Sequence, residues 1–219
     1  KKYKLNKKYK IISALSVFYD LKNPNKFLVD IKKILHKDGI FILEHADLLS
    51  IVKNNLFDTI CHEHLVYYSS KIIVDMMNKN DLVVFDLKKN NTNGGSIIYY
   101  ISHSNSNYKI KYNKISSILN EEKYFKLEKK ATYKKFLKNI NIQKNKLHNF
   151  LKSKIKQKNI IHGYGASTKG NVLLQYFNIN RDQINFIADR NPKKYNLYTP
   201  GTKIKIISEN LSRKMIPKY

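Results

Sequence analysis

With 219 residues and 42 % hydrophobic content, the chain is long enough to bury one large core or two small ones, which excludes a disordered polymer. A formal charge of +26 invites a nucleic-acid reading, yet only Arg181, Arg190 and Arg213 are arginines. The lysines are scattered among asparagine and isoleucine, as AT-rich coding produces, so this charge sets only non-specific attraction and specific nucleic-acid binding is not expected. A single cysteine, Cys61, excludes an internal disulfide framework and a multi-cysteine zinc module. No apolar run approaches the ~20 residues of a membrane span, so the expectation is a soluble, cytoplasmic protein with no membrane partner. The chain opens on Lys1, and its final segment, ISENLSRKMIPKY, begins a new periodic pattern that stops without a cap, so it reads as a piece of a longer protein.

In chain order, Lys10–Phe18 is a short strand-forming run, and Asn23–Gly39 reads as a helix. Pro24 suits a first helical position, Phe27, Ile31, Ile34 and Leu35 keep helical spacing, and Asp38–Gly39 closes the element. Ile40–His45 is then a buried-type strand, which makes a right-handed parallel crossover. Tyr19, Asp20 and Glu44, at the carboxyl ends of these strands, are expected to face the crevice where open α/β sheets bind ligands. Further on, Ile72, Ile73, Met76 and Met77 predict a helix capped by Ser69 or Ser70. Residues 81–89 and 95–102 flank NNTNGG as a β-hairpin. The stretch from about Lys114 to Lys158 lacks proline and glycine and predicts one or two amphipathic helices. Residues 159–178 read as strand, glycine turn and helix, and 184–192 as the next strand, so a second α/β unit begins near Lys158.

Three clusters could carry chemistry. In FDTICHEHLVYYS, an extended backbone would put His62 and His64 on one side and Glu63 on the other, so the triplet alone cannot be a compact metal site. A metal would need His36, His45 or His103 as a distant ligand, and no metal is assigned. Ordinary hydrogen-bonded loop histidines and a general base both remain open, since an imidazole titrates near pH ~6.5 and a carboxylate can orient it. In GYGASTKGN, glycines at a strand-to-helix turn let backbone N–H groups approach an anion, with Ser167, Thr168 and Lys169 as added donors. The pattern is neither a Walker loop nor G-x-G-x-x-G, and a turn that only packs helix on strand stays open. NTNGGS is a turn first and a substrate contact second. Tyr67 and Tyr68 could be core, wall or catalyst.

Together FYDLKNP, FDTICHEHLVYYS, NTNGGS, GYGASTKGNVLLQ and DRNPKKYNLYTPGT resemble, in this order and over nearly the whole chain, the sugar C-methyltransferase family. Its members use S-adenosylmethionine and act on nucleotide-linked keto-sugars. The resemblance implies an α/β fold in three parts: the second half of a methyltransferase Rossmann domain with a hairpin (1–113), a helical spacer (114–158) and an incomplete Rossmann-like domain (159–219). It also implies a chain truncated at both ends, lacking a zinc-binding cysteine module and the glycine-rich loop that holds the co-substrate. Zinc would belong to that module only, cofactor-binding residues are unknown, and the chain alone is expected to be inactive. Asp20 stands where some members have histidine and receives no catalytic role.

By the same resemblance His64 is the base and Glu63 its neighbour and orienter, with Tyr67, Asn93, Gly163, Gly165, Ser167, Lys169 and Asn171 in the nucleotide-sugar site. The implied reaction methylates a carbon beside a ketone through an enolate. An inactive remnant, a nucleotide-sugar-binding module and a basic nucleic-acid-associated protein are the alternatives.

Overall fold

The computed structural model describes residues 7–219 and is an α/β protein with two sheets. The chain divides into two units, one built from the residues up to Leu56 and from His62–Phe136, the other from Phe57–Cys61 and Leu137–Tyr219.

In the first unit β1 (Tyr9–Leu15) runs parallel to β2 (Leu35–Ala46), with α1 (Pro24–Ile34) between them. Asn23 caps α1 by accepting from the Lys26 N–H, Pro24 occupies the first turn, and Leu28 and Ile31 are buried. Two boundaries differ from the sequence expectation. The first strand stops at Leu15 because Ser16 turns left-handed (φ 55°), and Phe18 is wholly buried in a 3₁₀ turn, Phe18–Asp20. The helix stops at Ile34, and Leu35 is already the buried first residue of β2. Tyr9 pairs with Leu35 and Ile11 with Ile40, so His36–Gly39 bulge out of the ladder rather than close a helix. Gly39 is needed there, since a Cβ would lie 2.9 Å from the Tyr9 carbonyl oxygen. Leu35 satisfies helical spacing and an inward strand position equally, which is why the pattern alone misplaces the boundary.

A short helix not foreseen from periodicity, α2 (Leu48–Lys53), is capped by the buried Asp47, which accepts from Leu49 N, Ser50 N and Ser50 Oγ. Next, α3 (Ser70–Lys79) is capped by Ser69; it buries Ile73 and Met77 fully and leaves Ile72 exposed. The expected hairpin forms from β3 (Leu82–Asn90) and β4 (Ser96–His103), and β4 also pairs antiparallel with β2, for a sheet order β1-β2-β4-β3. Phe41, Leu43, Leu82, Ile97, Tyr99 and Ile101 fill its core. The lysine-rich region forms two helices, α4 (Tyr112–Tyr124) and α5 (Lys130–Lys156).

In the second unit β5 (His162–Tyr164), β6 (Phe186–Asp189) and β7 (Lys205–Ser208) form a parallel sheet in that order. Helix α6 (Thr168–Phe177) links β5 to β6, and α7 (Glu209–Lys214) follows β7. Phe57 belongs to this unit and stacks on Phe177, 4.9 Å between ring centres. Among the described residues no helix is long and apolar enough to cross a membrane.

The hairpin turn sets a test of the first unit. Gly95 has φ 143°, and a Cβ there would lie 2.5 Å from Ser50 Cβ. Gly95→Ala should therefore destabilise the unit by more than about 1 kcal/mol in urea unfolding. Asn93→Gly, which relaxes a left-handed residue (φ 55°), should be neutral or slightly stabilising.

Candidate active site

The loop after α2 is fastened to the carboxyl end of β1. The Tyr19 carbonyl accepts from both Leu65 N (3.0 Å) and Val66 N (3.3 Å), and Leu48 N donates to Tyr68 O. Tyr68 is buried against Phe18, 5.2 Å between ring centres. These ties hold the half-buried His64 with its ring 4.3 Å from that of Tyr19 and 6.1 Å from that of Tyr67. His62 and Glu63 form an exposed turn instead of the extended run expected, and the imidazole that Glu63 reaches is that of His62, at 4.0 Å. A turn brings adjacent side chains together, where an extended strand would separate them. Of the strand-end residues, Tyr19 is buried under His64, Glu44 accepts from Asn90 Nδ2 at 2.8 Å, and Asp20 is exposed. Asn93 is exposed in the left-handed hairpin turn.

Behind this loop lies a buried polar chain that sequence reading did not find. His45 stacks on Tyr99 (5.4 Å, 20°), Tyr99 Oη donates to Ser70 Oγ, and the N–H groups of Ser70 and Lys71 both donate to the Glu122 carboxylate. Burial raises the pKa of both Glu122 and Tyr99. It lowers that of His45, whose Nδ1 lies 2.8 Å from Ala46 O while the buried Nε2 has no hydrogen bond. A neutral imidazole is the form this surrounding favours. The one available signal was three polar residues, Glu44, His45 and Asp47, at a strand end; Tyr99, on which His45 stacks, lies over fifty residues away. Beside the loop a groove of about 670 Å³ is lined by Leu48, Tyr67, Ser69, Lys71, Glu122 and Tyr133. Among the described residues no group of three or more His, Cys, Asp or Glu could hold a metal ion. The turn after β1 contains Ser16 and no glycine.

In the second unit the glycine turn is built as a cradle. Gly165 has φ 89°, and nothing lies within 4 Å of where its Cβ would be, so it is glycine for its conformation and its face is open. Gly163 is glycine for packing, since its Cβ would meet Ile187 at 3.1 Å. Ser167 caps α6 by accepting from Gly170 N at 3.0 Å, and Lys169 is half-buried in the first turn. The half-buried Asn171 has an Oδ1 that is buried and makes no hydrogen bond within the chain. Asp189 at the end of β6 clamps the turn, accepting from Ala166 N (2.8 Å), Asn191 N (2.8 Å) and Lys194 Nζ (3.1 Å). The Asn191 bond is the largest cause of its lowered pKa. Its place, after a glycine turn, a helix and a second strand, was the available signal for its role.

The two sheets and the helices that flank them define an α/β chain. Residues 91–219, more than half of the chain, match the family described as C-methyltransferase C-terminal domain, and the chain belongs to that family. It is 25 % identical over 210 residues to C-methyltransferase NovU of Streptomyces niveus, covering 96 % of this chain and 50 % of that protein. The chain thus spans about half the length of the curated relative it matches. Among solved structures, mitomycin 7-O-methyltransferase MmcR aligns at 13 % identity over 44 % of this chain and 30 % of that one, with a TM-score of 0.36. Magnesium protoporphyrin IX methyltransferase (ChlM) from Synechocystis PCC 6803, with bound SAH, aligns at 15 % identity over 46 % and 48 %, with a TM-score of 0.37. Likenesses this slight carry no argument.

The buried His45 makes stability depend on pH. Its folded pKa lies below the unfolded value of about 6.5, so its contribution is complete above pH ~6.5 and is lost as pH falls through the folded value. His45→Phe keeps a ring against Tyr99 and removes the titration. In urea unfolding, this variant should lose less stability between pH 7.5 and pH 5 than the wild type does. His162, whose pKa burial also lowers, should leave a residual slope.

Proposed function

We propose that the chain is part of an S-adenosylmethionine-dependent C-methyltransferase that adds a methyl group to the carbon beside a ketone on a nucleotide-linked sugar, in the cytoplasm. The observation that carries this reading is the half-buried His64, fastened beside Tyr19 at a strand end, in a chain that belongs to a C-methyltransferase family. Residues 1–113 act as the methyltransferase part, 114–158 as a helical spacer and 159–219 as a nucleotide-binding part.

A carbon beside a ketone is a weak acid, and a neutral imidazole at a fixed position can take its proton as the C–H bond breaks. Donors near the ketone oxygen would stabilise the enolate, a role open to Tyr67 on the same loop. S-adenosylmethionine, when bound, would supply the electrophilic methyl that the carbon takes up, its sulfonium becoming a neutral thioether. Glu63, which reaches His62, supports positive charge in the loop and so acts on His64 less directly than a hydrogen-bonded orienter would. The open face of Gly165, with Gly163, Ser167, Lys169 and Asn171 around it, receives the diphosphate, and Asn93 is a further substrate contact.

In the longer enzyme, His64→Asn should lower turnover by roughly 10²–10⁴-fold with affinity for S-adenosylmethionine nearly unchanged. Glu63→Gln should be milder. Wash-in of solvent deuterium beside the ketone, without methyl donor, should proceed in the wild type and fail in His64→Asn; exchange at the wild-type rate in that variant would assign the proton to another base. Gly165→Val should raise KM for the nucleotide sugar more than it lowers kcat, and an unchanged KM would reduce the turn to packing.

A further inference from the structure

The three parallel strands of the second unit each deliver one polar side chain to a common point at their carboxyl ends, the edge of an open α/β sheet where ligands bind. Tyr164 ends β5, Arg190 follows β6 directly, and Glu209 follows β7. Arg190 Nε donates to Glu209 Oε2 at 2.9 Å, Arg213 Nη2 donates to Glu209 Oε1 at 2.6 Å, and Tyr164 Oη donates to Glu209 Oε2 at 3.3 Å. The Arg190 guanidinium carbon stands 6.0 Å from the centre of the Tyr164 ring. The two guanidinium groups hold the Glu209 pKa down to about 2, so the carboxylate is ionised and the cluster keeps an excess positive charge.

Stability does not account for this arrangement, because ion pairs this exposed contribute little: the Arg190 and Arg213 side chains are 78 % and 73 % exposed. Arginine is also rare here, three of 42 basic residues, and two of the three meet at this glutamate. Arginine differs from lysine in offering a flat, forked donor set that stacks on rings and matches phosphate. Tyr164 presents a ring that is 65 % exposed, adjacent in sequence to the open face of Gly165. Asp189, at the strand-end place where dinucleotide folds bind a ribose diol, is instead committed to Ala166, Asn191 and Lys194.

We propose that Tyr164 and Arg190 form a nucleoside-diphosphate subsite: the base stacks on Tyr164, and Arg190, its geometry set by Glu209, contacts the phosphates. This rests on the reading that the second unit binds a nucleotide-linked substrate, and it names the residues that recognise the nucleotide.

The test is calorimetric titration of residues 1–219 with UDP, dTDP and inorganic pyrophosphate at fixed ionic strength, since a chain of charge +26 attracts any polyanion at low salt. The wild type should bind the nucleotides more tightly than pyrophosphate. Tyr164→Ala should weaken UDP binding roughly tenfold or more and leave pyrophosphate binding unchanged, while Tyr164→Phe keeps the affinity. Arg190→Ala should weaken both, and Arg190→Lys should restore only part. Both side chains are exposed, so unfolding midpoints should not move. If the Tyr164 and Arg190 variants bind UDP like the wild type while Gly165→Val does not, the subsite is wrong and the nucleotide reading survives. If the wild type binds UDP no better than pyrophosphate, both fall.

Discussion

The two hydrogen bonds that the Tyr19 carbonyl accepts from Leu65 and Val66 are the constraint on which the first unit's site depends. A nine-residue loop from Cys61 to Ser69 has no ladder or helix of its own to fix it. Without an anchor, the entropy of so many free backbone angles would leave His64 without a defined place. The anchor lies at the carboxyl end of β1, and the Leu48–Tyr68 bond adds a second at the end of β2. The place of His64 then comes from the sheet, through a loop that is pinned at several points along its length.

The buried chain from His45 to Glu122 answers the polar cost of that arrangement. The start of α3 is buried at Ser70, and helix N-termini carry unpaired N–H groups that cannot be left without partners away from water. Glu122, from α4, accepts from Ser70 and Lys71 together, which satisfies both donors with one side chain and ties the loop's far end to a distant helix. A carboxylate there is held in its charged form by these bonds and disfavoured by burial; burial prevails in the direction of its pKa.

The second unit solves a similar problem with a different device. A left-handed glycine gives the backbone an open face, and Asp189 holds the adjacent peptide by accepting from Ala166 and drawing in Lys194. The clamp consumes the acidic group, so what remains exposed along the strand ends is aromatic and cationic. That balance suits an anionic, flat-ringed ligand better than a diol.

Much of this was legible without coordinates. The hairpin around NTNGG, a serine cap at 69 or 70, the helical character of the lysine-rich stretch and the strand–glycine turn–helix at 159–178 all follow from local rules: turn chemistry, capping and periodicity act over a few neighbouring residues, and the chain contains those neighbours. The start of β2 was not legible, because Leu35 fits a helix face and a strand face equally. Nor was α2, whose six residues are too few to show a period. The sequence by itself determined that two α/β units exist, that HEHLVYYS lies in the segment before the Ser69-capped helix and that GYGASTKGN sits at a strand-to-helix joint. Only the tertiary structure decided that Glu63 turns to His62, that His45 is buried on Tyr99 with Glu122 capping α3, and that Arg190 and Arg213 meet at Glu209. The His45–Tyr99, Ser70–Glu122 and Arg190–Glu209 pairings join residues far apart in the chain, and their energy comes from burial and charge at the meeting point, which no local pattern encodes.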